Sequence, residues 1–94
     1  MGDYMEDTKA INKMGYEIGS KIKLHDFEVL KLLEFFKYEQ YHELLRNIIS
    51  IAKEQQISLP DKLLNYNIET FETYVHALWE GFMKSCSNFK AEVC

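Results

Sequence analysis

The chain of 94 residues is short of most of the residues that announce a specialised architecture. It has two cysteines, one proline and four glycines. Cys86 falls on an expected helix and Cys94 is the last residue, a spacing that supports neither a disulfide framework nor a four-ligand zinc site. Both are expected to be free thiols. Scarce proline and glycine, with 47% hydrophobic and 14% aromatic residues, argue against disorder. No apolar run approaches the ~18 residues of a membrane span. The first seven residues carry Asp3, Glu6 and Asp7 where a signal peptide would be basic, so a cytoplasmic location is expected.

A basic excess is also missing. The formal charge is −4, whereas an independent nucleic-acid binder usually carries surplus cations to displace counterions from phosphates. The charge is uneven along the chain: −3 over residues 1–7, +2 over 8–37, −2 over 38–70 and −1 over 71–94. Only the first half of the fold has the means to present a basic face.

What is present is helical periodicity. One domain is expected over residues 1–94, with 1–7 and 87–94 frayed or disordered, since this length buries one modest core. Ile11, Met14, Ile18 and Ile22 recur at three- and four-residue steps, with Asp7 or Thr8 as cap. Gly15 and Gly19 lie one turn apart beside that stripe. Each costs about 1 kcal/mol of helix propensity relative to alanine, so they imply close approach of another backbone. Asp26 is expected to cap a second helix carrying Phe27, Val29, Leu30, Leu32, Leu33, Phe35 and Phe36, apolar nearly all round. Such a helix is central to the core or keeps one face for a partner.

Leu44, Leu45, Ile48, Ile49 and Ala52 continue the period to about Gln56. Periodicity alone permits one helix over 27–56, but a short domain favours a break near Tyr38, because a straight rod cannot fold back on itself. Pro60 suits the first turn of a short helical segment through Leu64. Asn67 is expected to cap a last helix with Ile68, Phe71, Tyr74, Val75, Leu78, Trp79, Phe82 and Met83 on one stripe. The fold class is all-α, a small bundle of four to five helices.

Catalytic chemistry is poorly supplied. Glu72, His76 and Glu80 stand at successive four-residue steps, a spacing that permits metal binding but equally a solvated face, and no Cys or His cluster completes a site. His42 is expected at the surface. No phosphate loop, nucleophile elbow or zinc-spaced cysteine pair occurs. The expectation is a non-enzyme with no cofactor, no metal and no small-molecule substrate. Lys9, Lys13 and Lys21 form a basic row interrupted by Glu17 and followed by Lys23, a stripe that suits a phosphate backbone, with Arg46 and Lys53 as a second set.

Three features in order carry a resemblance. They are the glycine pair in Gly15 to Lys23, the stretch from Leu30 through Tyr41 and Arg46 to Pro60, and the segment from Phe71 to Trp79, Gly81 and Phe82. Together, over about residues 14–83, they resemble the helical C-terminal part of the large subunit of type I CRISPR effector complexes (Cascade), and the separate small subunit equivalent to it. The resemblance implies a helical bundle that assembles with copies of itself and with backbone subunits, and that supports crRNA and target DNA binding. Protein contacts are then expected at Gly15, Gly19, Phe27, Leu32, Phe35 and Phe36. The acidic balance departs from the basic groove common in that family. It suits an alternative, a small phage- or plasmid-borne regulator that binds a protein through an apolar helix face.

Overall fold

Among the described residues the apolar periods become four α-helices and no strand. A computed structural model describes residues 2–59, 63, 68–87 and 89, with side chains from Thr8 onward. Helix α1 runs Gly2–Lys21, α2 Asp26–Lys37, α3 Tyr41–Glu54 and α4 Phe71–Ser85, the last entered through a 3-10 turn at Ile68–Thr70. None is long and apolar enough to cross a membrane. The first-turn Pro60 and the proposed cap Asn67 lie outside the described residues, as does Cys94.

Helix α1 begins at Gly2, earlier than its apolar stripe suggests. The opposite terminus also differs from expectation. Phe89 is fully buried against Trp79 and Phe82, at ring separations of 5.2 and 5.8 Å, so this residue contributes to the core.

The cap of α2 is His25 rather than Asp26. The Glu28 carboxylate accepts the His25 backbone N–H at 2.8 Å, which satisfies a donor that the helix cannot. The break expected near Tyr38 is present. Glu39 takes the left-handed conformation (φ 58°), Gln40 N–H donates to Phe35 O at 2.8 Å and Glu39 N–H to Phe36 O at 3.2 Å. This is a Schellman closure, usually made with glycine. Helix α3 ends the same way: Gln56 has φ 60°, and Ile57 N–H donates to Ala52 O at 2.9 Å.

Helices α1 and α4 run parallel, because Asn12 faces Ala77 and Gly81 while Gly19 faces Phe82 and Ser85. Their approach is set by glycine on both sides. A Cβ on Gly15 would lie closer than 3.0 Å to the Leu78 carbonyl, and one on Gly81 equally close to that of Asn12. Asn12 Nδ2 donates to Ala77 O at 3.0 Å across the same seam. Helices α2 and α3 form a hairpin that closes the core over Leu32, Tyr41, Leu44, Leu45, Ile48, Val75, Leu78, Trp79 and Phe82, all buried.

Candidate binding surfaces

Two of the expected contact residues prove to be internal. Gly15 and Gly19 are buried against α4, so the close approach they imply is made within the chain and leaves nothing for a partner. The facing stripe of Ala77, Gly81 and Ser85, also four residues apart, supplies the other half. That spacing was readable, but it runs between rows of large apolar residues that dominate the pattern. Leu32, at 1% exposure, is likewise a core residue rather than a contact for another protein.

Phe36 is half-buried and turned inward. Its ring lies 5.5 Å from Trp79, stacked, and 5.1 Å from His76. Phe35 is half-buried too, with Lys31 Nζ 5.9 Å from its ring centre, within range of a cation–π attraction. Phe27 is different: 66% of it is exposed, and His25 stacks on it at 5.6 Å.

With 3.6 residues per turn, Val29, Leu32 and Phe36 share the inward face of α2 while Phe27, Leu30, Lys31, Glu34 and Tyr38 share the outward one. Leu30 and Tyr38 are 62% and 63% exposed. The outward face is therefore a ridge of three large apolar groups with a cation and an anion between them. Only Phe27 of the expected contacts belongs fully to it. Leu30 and Tyr38 were missed as contacts because an all-round apolar helix does not reveal which row is left over.

The basic candidates are all exposed. Lys9, Lys13 and Lys21 lie on α1, interrupted by exposed Glu17. Gln55 binds the backbone of Lys23 twice, accepting its N–H at 2.9 Å and donating to its carbonyl at 2.5 Å. This ties the α1–α2 connection to the end of α3, so Lys23 and Lys53 occupy the same end of the bundle. Arg46 stands about two turns earlier on α3 and already pairs with Glu43 at 3.8 Å, a surface contact worth little. The two sets thus meet only through Lys23 and Lys53.

A polar and aromatic cluster joins α3 to α4. The Tyr41 hydroxyl and His76 Nε2 are 2.9 Å apart, so with the imidazole proton on Nδ1 the phenol donates to Nε2. Phe36 flanks both rings, and His42 stacks on Phe71 at 4.3 Å. His76 is thereby engaged with Tyr41, while Glu80 lies 3.7 Å from Lys84, so the Glu72, His76, Glu80 row is not gathered around a shared point.

Burial pushes the Tyr41 phenol above its ordinary value, and the Glu39 and Glu72 carboxylates add to the shift. The unfolded chain then gives up this proton first, so folding stability falls as pH rises past about 10. Tyr41→Phe should flatten that alkaline loss while costing about 1 kcal/mol at neutral pH for the hydrogen bond. Urea titrations at pH 7 and above pH 10 would measure both.

Comparison with protein-family models, curated proteins and solved structures gave no match.

Proposed function

We propose that this chain is a non-catalytic assembly domain, working in the cytoplasm as the small helical subunit of a type I CRISPR surveillance complex. In this role it packs against copies of itself and against backbone subunits, and supports binding of crRNA and target DNA. The observation that carries the binding reading is the outward ridge of α2, where Phe27, Leu30 and Tyr38 remain more than 60% exposed although Val29, Leu32 and Phe36 pack against the core. Exposing three large apolar groups in one row is costly in water and is relieved by a partner. The resemblance of residues 14–83 to the small subunit supplies the identity of the assembly.

Nucleic-acid support is assigned to Lys9, Lys13, Lys21 and Lys23, with Lys53 at the same end of the bundle and Arg46 further along α3. These act as point charges on phosphates and read no sequence. The test is coexpression with backbone subunits and crRNA, followed by purification of the complex. Incorporation of this chain is expected. Lys13→Glu, Lys21→Glu and Lys23→Glu together should weaken target-DNA binding and reduce its salt slope by up to about three, one per lost phosphate contact. Recovery of the chain alone, free of crRNA and subunits, would contradict the assembly role. An unchanged salt slope in the assembled complex would remove the lysine row.

The charge of −4 favours one other reading, a small regulator that binds a protein target through the same ridge. It predicts tight binding to a single protein with no dependence on crRNA.

A further inference from the structure

We infer that the ridge of α2 is occupied by the same ridge of a second copy, in a two-fold antiparallel pair. The inference rests on the assembly reading above and names the partner at this face.

The order of side chains along the ridge carries it. Place a two-fold axis level with the midpoint between Leu32 and Leu33, and let two copies of α2 meet antiparallel. At a rise of about 1.5 Å per residue, Lys31 and Glu34 lie equally far from that midpoint in opposite directions, so each Lys31 is level with Glu34 of the other copy. Phe27 and Tyr38 are likewise equidistant, so each Phe27 meets the other copy's Tyr38. All four residues are exposed and on the same outward face. The two central levels thus match cation with anion, and the two outer levels match ring with ring. Leu30 flanks the seam beside the charged centre.

This self-matching is a property that a surface shaped for an unrelated partner does not need. A two-fold contact requires it, because the same patch must complement itself. Aromatic pairs and opposite charges across the seam are both favourable. A single helix of 12 residues is about 18 Å long, so the buried area falls below that of a standard stable interface and the dimer is weak and reversible. Being isologous, it closes at two copies and does not propagate.

The sign of the central pair gives a test that separates this contact from general stickiness. In Lys31→Glu the four central charges of a homodimer are all negative, and in Glu34→Lys all positive, so each variant should associate about tenfold or more weakly than the native chain. Mixed one to one, the two variants restore opposite charges at both levels and should form a heterodimer of native-like affinity. Light scattering and sedimentation equilibrium of the purified chain would measure this, with circular dichroism to show that each variant is folded. A native chain that stays monomeric as concentration is raised, variants that associate as the native does, or a mixture that does not pair would each overturn the inference. Dimerisation without incorporation into an effector complex would leave this contact standing and remove the assembly role. Incorporation of a strictly monomeric chain would do the reverse.

Discussion

Gly81→Ala should destabilise the domain by about 2 kcal/mol, against the usual direction for a helix interior. Alanine gains about 1 kcal/mol in helix propensity over glycine. Here its methyl group would lie closer than 3.0 Å to the Asn12 carbonyl and press on the Tyr16 backbone, and these backbone atoms cannot rotate aside. Relief requires α1 and α4 to separate along a seam that Gly15, Gly19, Ala77 and Ser85 also hold closed. Forcing extra carbon into a packed interface typically costs 1–3 kcal/mol, and here the backbone places the cost at the upper end. Gly15→Ala should behave similarly. The double variant should lose less than the sum of the two, because one separation of the helices relieves both clashes. Urea unfolding of the four proteins measures the coupling directly. A stability gain in either single variant would mean that the helices are not this close.

Phe82→Ala is expected to be the most damaging single change, at about 3–5 kcal/mol. Phe82 is 1% exposed, with Trp79 stacked 5.5 Å away on one side and Phe89 5.8 Å away on another. Truncation leaves a cavity bordered by two rings that the glycine-sealed α1–α4 pair prevents from collapsing. A domain of this size has about 5–14 kcal/mol of stability, so the variant should be partly unfolded near room temperature if the native value is at the low end. Trp79 is the only tryptophan and is buried, which makes its fluorescence a local probe of the loss. An unfolding free energy within a few tenths of a kcal/mol of the native value would show that α4 does not form the centre of the core.

Much of this fold was legible because α3 and α4 keep a regular apolar period. Leu44, Leu45, Ile48 and Ala52, and then Phe71, Tyr74, Val75, Leu78 and Phe82, are all buried. The break near Tyr38 was legible in position through the length of the apolar run. Its device was not, since Glu39 and Gln56 hold left-handed conformations more often given to glycine. The start of α1 was misjudged because residues 2–7 carry acids in place of an apolar stripe. The glycine pair announced a close approach correctly, and what it could not name was the partner. A partner 60 residues away leaves no local signal, so an internal seam was assigned to the outside. Helix α2 shows the converse limit. Periodicity counts apolar residues, and it was the packing of Leu32 and Phe36 onto the core that left Phe27, Leu30 and Tyr38 as the surplus.

The lysine row illustrates why charge is harder to place than apolar surface. Nothing in the packing requires Lys9, Lys13 or Lys21 to point anywhere in particular, and exposed cations cost little when alone. Their exposure is therefore compatible with phosphate binding without demanding it. The ridge of α2 has the opposite character, because water penalises it whenever it is uncovered.

Hydroxyl-radical footprinting reads that penalty most directly, since it labels side chains in proportion to their exposure. The free chain at high dilution should be labelled strongly at Phe27 and Tyr38 and hardly at all at Trp79 and Phe82. In the assembled complex Phe27, Leu30 and Tyr38 should be protected while the core residues remain unlabelled. Equal labelling of Phe27 and Tyr38 in both states, with protection appearing elsewhere on the domain, would contradict a binding role for α2.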